Sequence, residues 1–392
     1  MNPLPARLYS CHMRITLVIG SLAGGGAERV CVNLANAWVA RGRDVTILTY
    51  AKSRVAPAYA VDPKVELRDI GWPRRAYDKE LNPVAIAPVL RGLERAGCSD
   101  LIEEINIIAI LRHAILETSP DLVVSHIDMT NVRVLAAMHE TAVPIIACEH
   151  TDLNQISLGR WQSARRALYR HAAAVVAPHA SIAEWLKQGG AAAYAIPNPL
   201  VPPSRMQVDR NGKRRRIVTL GRLSEEKRPA LLVRAFASIA GDFPAWDLEI
   251  YGMGSLQEPL AGLVEELAPG RIHLRGFVRD AYSVLNGADL FVSSSWVEGF
   301  GNAIWEALAC GVPVVAMECG PPVSSLVRDG VDGLIVRNTT ELASTLASLM
   351  NDHARREGLA ARAPEVVTRF SLKSSLNAWD ALIERVSSCP SN

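Results

Sequence analysis

Apolar runs short enough to be single strands recur along this chain, and the stretches between them repeat their apolar positions with a helical period. The first run, Arg14-Ile15-Thr16-Leu17-Val18-Ile19-Gly20, reads as a buried strand; Gly24-Gly25-Gly26 and an amphipathic helix to about Ala40 follow it. Strands are next expected at residues 45–49, 65–70, 122–125, 144–148 and 173–177, and after a break at 216–220, 247–251, 288–295 and 312–316. Strand alternating with helix predicts an α/β class, with parallel sheets covered by helices on both faces. The break is Ile196-Pro197-Asn198-Pro199-Leu200-Val201-Pro202-Pro203. Its four prolines cannot continue a helix or an inner strand, and with the polar, basic stretch to Arg216 it reads as a linker. At 392 residues the chain exceeds one ordinary core. Two domains are therefore expected, residues 1–200 and 201–370, with a terminal helical segment at 371–392.

Ligands of parallel sheets bind beyond the carboxyl ends of the strands, so the residues that follow each strand carry the candidate chemistry. Gly24, Gly25 and Gly26, ahead of a helix N-terminus, let a phosphate or sugar approach the backbone; a merely flexible turn is the competing reading. His150, after the strand at 144–148, can donate to a sugar hydroxyl or to a leaving diphosphate. His126 is the weaker candidate, read as a satisfied structural group. In the second half, Arg222 and Lys227 stand between a strand end and a helix start. There two cations can clamp a diphosphate and offset the charge it gains on leaving.

The densest candidate stretch is Val297-Glu298-Gly299-Phe300-Gly301-Asn302-Ala303-Ile304-Trp305-Glu306, a loop that runs into a helical pattern ended by Gly311 and Pro313. Phe300, Gly301 and Asn302 would open that helix, where free backbone N–H groups and the helix dipole favour an anion such as a diphosphate. Glu298 lies in the loop and Glu306 a little over one turn inside the helix, too far apart along it to share one metal without a sharp fold-back. Carboxylates so placed suit sugar hydroxyls and ribose hydroxyls respectively. A solvated pair of acids is the competing reading.

Composition narrows the picture. With 49% hydrophobic and 21% charged residues the chain is globular, and a net charge of +2 is too small to imply nucleic acid. No run approaches the ~18 apolar residues of a membrane span. The residues before Arg14 lack the apolar core of a signal peptide, so a cytoplasmic protein is expected, with Met13 as an alternative start. Seven cysteines, odd in number and without a Cys-x-x-Cys pair, argue for reduced, buried thiols rather than a zinc site or a disulfide framework. No Asp-x-Asp occurs, so no metal is expected to hold the leaving group. Residues 160–170 carry four arginines and no acid, with Trp161 and Leu168 on one side. That pattern suits docking on an anionic bilayer, but the favoured reading has the arginines solvating an outer face. Trp72-Pro73-Arg74-Arg75-Ala76-Tyr77 is a second basic, aromatic loop, placed where acceptor contacts are expected.

Four ordered motifs carry a resemblance: Gly25-Gly26-Ala27-Glu28-Arg29, Gly221-Arg222-Leu223 with Lys227, Glu298-Gly299-Phe300-Gly301-Asn302 with Glu306, and Asp329-Gly330-Val331-Asp332-Gly333. They are similar to the signatures of retaining, nucleotide-sugar-dependent glycosyltransferases of family 4, of the Glu-x7-Glu type. The resemblance spans nearly the whole chain and implies the GT-B fold, two Rossmann-like parallel-sheet domains facing each other across a cleft. It implies a hexose or N-acetylhexosamine moved from a nucleotide diphosphate, UDP favoured, to a hydroxyl of a glycan, lipid-linked in bacterial surface polysaccharide assembly. GDP-mannose is the alternative donor. Glu298, His150, Arg222 and Lys227 would then be catalytic. Gly24, Gly25, Gly26, Gly252, Gly254, Phe300, Gly301, Asn302 and Glu306 would bind the nucleotide sugar as co-substrate, with no separate cofactor and no metal. The resemblance further implies that Arg275 to Val278 lies beside the base, that the final helix crosses back to the first domain, and that an inner-membrane contact is peripheral. After Gly320 the chain reads Pro-Pro-Val-Ser, where many relatives carry a glutamate. A nucleotide-sugar epimerase or phosphorylase of the same architecture and a two-lobed solute-binding module are the rival readings.

Overall fold

The computed structural model describes residues 13–50, 56–71, 83–152, 154, 155, 159, 161–203 and 214–388. The loop 72–77, the residues before Met13, Arg160, Cys11, Cys389 and most of the basic linker lie outside the described residues.

Thirteen strands are described: β1 (Arg14–Ile19), β2 (Asp44–Thr49), β3 (Glu66–Asp69), β4 (Leu122–His126), β5 (Ile145–Cys148), β6 (Ala174–Ala177), β7 (Ala193–Ala195), β8 (Arg215–Leu220), β9 (Trp246–Tyr251), β10 (Ile272–Gly276), β11 (Leu290–Ser293), β12 (Val314–Met317) and β13 (Gly333–Val336). They form two sheets, ordered β3-β2-β1-β4-β5-β6-β7 and β10-β9-β8-β11-β12-β13, with every pairing parallel. These are two Rossmann-like units, the α/β class that strand and helix alternation predicts. Strands such as Val314–Met317 are buried throughout because helices cover both faces, which is why they read as unbroken apolar runs. Three residues of β7, Ala-Tyr-Ala, are too few to show a period, and no strand was expected there.

The chain divides into two compact units. The first runs to His150, resumes at residue 156 as far as Ile196, and takes in the end of the chain from Leu376; the second comprises Thr151–Gln155 and Pro197–Ser375. In the first, Val18, Leu48, Val123, Ala147 and Val175 pack against Ile108, Leu111, Val132 and Leu168. The helix Leu372–Ser388 sends Trp379 against Trp38, ring centroids 5.6 Å apart and edge to face. In the second, Phe236, Leu248 and Leu346 lie in one apolar cluster, and Phe291, Trp305 and Leu326 in another.

In each sheet the strand order reverses once, between β1 and β4 and between β8 and β11. Such reversal points open the crevices in which α/β sheets receive ligands.

Candidate functional site

In the six-stranded unit, β8 ends at Leu220 and the chain turns through Gly221 and Arg222 into a single helical turn, Glu225–Lys227. Arg228 takes left-handed backbone angles (φ 45°), which redirects the chain into the helix Pro229–Ala237. Lys227 is thereby aimed at the loop after β11. Its Nζ donates to Glu298 Oε1 at 2.6 Å, and Ser295 Oγ donates to the same oxygen at 2.7 Å. Ser294 Oγ donates to the Lys227 carbonyl at 2.7 Å, and the Trp296 N–H to the Glu226 carbonyl at 3.0 Å. Two loops separated by some seventy residues of sequence are thus stitched at the sheet's reversal point. Arg222 stays 69% exposed and makes a 3.4 Å contact to Glu226, so a bound anion can recruit it at little cost.

The next helix, Asn302–Ala309, begins at Gly301, whose φ of 93° is a left-handed conformation; a Cβ there would also come within 3.1 Å of Leu326. Phe300 is buried and packs edge to face on Phe370 at 5.6 Å, so its backbone rather than its ring is the part available to a ligand. Asn302 Oδ1 accepts from Asn198 Nδ2 at 2.7 Å, and Glu306 is buried in the second turn. Gly252 and Gly254 allow a close approach, but to the chain itself. A Cβ on Gly252 would sit 1.8 Å from the Gly221 carbonyl oxygen and one on Gly254 2.3 Å from that of Leu223. They let the loop bearing Arg222 lie flat against the turn after β9, where Leu223 N–H reaches the Met253 carbonyl at 3.0 Å.

In the seven-stranded unit, Gly24 and Gly25 have φ of 124° and 154° and lead into the helix Gly26–Ala40. Tyr59 braces them. Its hydroxyl donates to the Gly25 carbonyl at 3.1 Å and lies 3.3 Å from the Gly25 N–H, and the Arg29 guanidinium lies 4.7 Å from its ring centroid. Sequence reading gave no weight to Tyr59, because nothing near it in the chain marks it.

His126, the last residue of β4, is fully buried, and its Nδ1 lies 3.0 Å from His150 Nε2. Burial, and then the neighbouring His150, hold His126 well below the usual imidazole range; burial alone brings His150 down to about 4. Ile127 follows with φ 75°, a conformation rare for a β-branched residue that costs about 1–3 kcal/mol and clusters at functional sites. On the opposite face of the sheet, Glu149 accepts a hydrogen bond from the Tyr169 hydroxyl, and burial pushes its carboxyl up to about 7.

The basic segment is the helix Trp161–Leu168. Its arginines do not all face water, as the favoured reading required. Arg165 is 4% exposed, its guanidinium lying 4.9 Å from the Trp185 ring centroid and 6.0 Å from that of Tyr169, while Arg166 and Arg170 are exposed. The aromatic faces shield the buried cation, whose Nη1 finds no hydrogen-bond partner among the described residues. A cavity of about 310 Å³ opens beside it, between Arg166, Arg170 and Gly189.

The cysteines among the described residues, Cys31, Cys98, Cys148, Cys310 and Cys319, are free and buried. Among the described residues no three His, Cys, Asp or Glu side chains converge as metal ligands, and no helix is long and apolar enough to cross a membrane.

Known proteins resemble both halves of the chain. Residues 24–202 match the family model described as Glycosyltransferase Family 4, and residues 214–352 that described as Glycosyl transferases group 1. A Campylobacter jejuni protein named GalNAc-alpha-(1->4)-GalNAc-alpha-(1->3)-diNAcBac-PP-undecaprenol alpha-1,4-N-acetyl-D-galactosaminyltransferase is 24% identical, over 95% of this chain and 99% of its own length. The Anabaena protein HepE, solved in complex with UDP-glucose, aligns with a TM-score of 0.73 at 20% identity, over 96% of this chain and 100% of that one. A Staphylococcus aureus TarM variant, solved with fondaparinux, alpha-GlcNAc-glycerol and UDP, gives 0.74 at 13% identity over 94% and 99%. At such identities the structural likeness carries the fold.

Proposed function

Because this chain belongs to glycosyltransferase family 4, with the GT-B fold, we propose that it moves a hexose or N-acetylhexosamine from a UDP-sugar to a hydroxyl of a lipid-linked glycan, with retention at the anomeric carbon. The observation that carries the donor side is the Lys227–Glu298 pair at the reversal point of the six-stranded sheet, with the exposed Arg222 beside it. In this reading the diphosphate draws on Lys227, Arg222 and the N–H groups that open the helix at Asn302, and Glu306 takes the ribose hydroxyls. As the bond from C1 to the diphosphate oxygen breaks, those donors stabilise the charge that develops on the leaving group. The acceptor hydroxyl forms its bond to C1 on the same face, and its proton passes to a departing phosphate oxygen. Glu298 orients the donor sugar; in the seven-stranded unit His150 and the loop of Gly24, Gly25 and Gly26 are read as groups that meet a sugar. Such chemistry asks for positioning and electrostatics rather than a covalent nucleophile. The relative that acts on an undecaprenol-linked glycan and the structural neighbours solved with UDP-glucose or UDP favour UDP as the nucleotide and an undecaprenol-linked acceptor, as in bacterial surface glycan assembly. An acceptor on a lipid puts the enzyme at a membrane surface, and the exposed Arg166 and Arg170 supply charge for peripheral contact on its cytoplasmic side.

The first test is thermal stabilisation by a panel of nucleotides and nucleotide sugars, since a ligand of the native state raises its apparent stability by mass action. Selective stabilisation by UDP and one UDP-sugar is expected; stabilisation by GDP alone would move the donor to GDP-mannose. No shift with any nucleotide at millimolar concentration would overturn the transferase reading. Product NMR with the selected donor then reads the anomeric configuration, and Glu298→Ala, Arg222→Ala and Lys227→Ala should each lower transfer by ~10²-fold or more.

A further inference from the structure

We infer that His126 is a positioning residue, holding His150 through an imidazole–imidazole hydrogen bond that fixes which nitrogen of His150 carries the proton. The inference rests on the reading of His150 as a sugar-contacting group. His126 closes β4 in register with Cys148 of the adjacent β5, and His150 follows Cys148 by two residues, so both rings emerge on one face of the sheet. Their planes are 23° apart with centroids at 5.2 Å, and the 3.0 Å between Nδ1 of His126 and Nε2 of His150 admits a single shared proton. The backbone holds His126 in place. The Ile127 N–H reaches the Cys148 carbonyl at 3.2 Å, and the Asn131 N–H reaches the Ile127 carbonyl at 2.8 Å.

Two arrangements of a neutral pair satisfy that contact. If His150 donates from Nε2, its outer Nδ1 is a bare acceptor and His126 carries an N–H on Nε2. If His126 donates from Nδ1, its Nε2 is bare and His150 carries its proton on Nδ1. His126 Nε2 is buried with no hydrogen-bond partner among the described residues. Each arrangement leaves one outer N–H unpaired among the described residues; His126 is fully buried whereas His150 is partly exposed, so the second arrangement, which puts that N–H on His150 where a ligand can reach it, is favoured. His150 Nδ1 is likewise buried without a partner. It then presents an N–H that a sugar oxygen or a departing oxygen can satisfy. Which nitrogen of a histidine is protonated is set by the bond the other one makes, and here that bond comes from a second histidine.

Protein labelled with ¹⁵N-histidine, without any ligand, should show His126 and His150 at pH 7 as neutral Nδ1–H tautomers, assigned with His126→Phe and His150→Phe. In His126→Phe, His150 should shift toward the Nε2–H form common in free imidazole. With the UDP-sugar selected by the nucleotide panel, His126→Phe should lower kcat by ~10-fold or more at little change in KM, and His126→Asn, which keeps an amide donor near the Nδ1 position, should recover part of the loss. An Nε2–H His150 in the unsubstituted protein, an unchanged tautomer in His126→Phe, or kcat/KM within about twofold of the unsubstituted enzyme would each overturn the inference. Unchanged turnover in His150→Ala would instead overturn the role of His150, while the spectra still decide whether the bond exists.

Discussion

Lys227 Nζ lies 2.6 Å from Glu298 Oε1, and this ion pair ties the loop after β8 to the loop after β11 on either side of the point where the strand order of the six-stranded sheet reverses. A diphosphate bound there must compete with Glu298 for the ammonium. Glu298→Ala should therefore leave UDP affinity unchanged or raised while cutting transfer by ~10²–10³-fold. Lys227→Ala should weaken UDP binding by ~10-fold or more. Calorimetric titration with UDP separates the two. Equal losses of affinity in both variants would mean that Lys227 does not meet the nucleotide.

Gly252 is a packing requirement. With φ at 144° and a Cβ that would fall 1.8 Å from a carbonyl oxygen, Gly252→Ala must push the Gly221–Leu223 loop away, at an expected cost of about 2–4 kcal/mol. Gly262, inside the helix Gln257–Leu267, is the control. A Cβ there meets nothing within 4 Å, so Gly262→Ala should stabilise the protein by about 0.5–1 kcal/mol. Urea unfolding of the two variants should move in opposite directions, and a neutral Gly252→Ala would contradict the close approach.

How much of this was legible in the sequence depends on the range of the interaction concerned. The strands were readable because a buried parallel strand is a continuous apolar run, as in Leu17-Val18-Ile19 and Val314-Val315-Ala316. The candidate loops were readable because they follow those runs. What each side chain does in its loop was not. Lys227 and Glu298 meet only after β8 and β11 pair, and Tyr59 reaches Gly25 across a loop. Phe300 was read for the backbone N–H groups that open the helix; that its ring packs on Phe370 is a contact no local pattern marks. Arg165 looked solvated because its sequence neighbours are polar. The rings of Trp185 and Tyr169, supplied by other parts of the chain, flank it.

Glu149 couples stability to pH. Burial lifts its folded carboxyl to about 7, so the native state holds the proton more tightly than the unfolded chain does. Its contribution is complete below the ordinary carboxylate range and is lost as pH rises through about 7, a loss on the order of ~3 kcal/mol. His150 opposes it at low pH. With a folded value of about 4, its contribution is complete above the ordinary imidazole range and lost as pH falls through about 4. Glu149→Gln keeps the acceptor for Tyr169 and removes the titration. The melting temperature of this variant relative to the unsubstituted protein should therefore rise by several degrees from pH 5.5 to pH 8.5. A constant difference would show that Glu149 ionises normally in the folded protein.

From Leu376 the last described helix is held in the seven-stranded unit by the Trp379–Trp38 contact, by buried Leu382 and Ile383, and by a forked ion pair. Trp379 is 2% exposed against Trp38, and the neighbouring Asp380 takes Arg43 at 2.7 Å and Arg41 as well. The ion pairs are partly solvated and each contributes little. The buried ring dominates, so Trp379→Ala should cost about 3–5 kcal/mol, whereas Asp380→Asn should cost less than ~1 kcal/mol. Because the loops bearing Lys227 and Glu298 belong to the other unit, UDP affinity in Trp379→Ala should hold at temperatures where the protein remains folded. Urea unfolding followed by tryptophan fluorescence, paired with UDP titration, checks both statements. A Trp379→Ala protein as stable as the unsubstituted one would show that the helix from Leu372 is dispensable to the first unit.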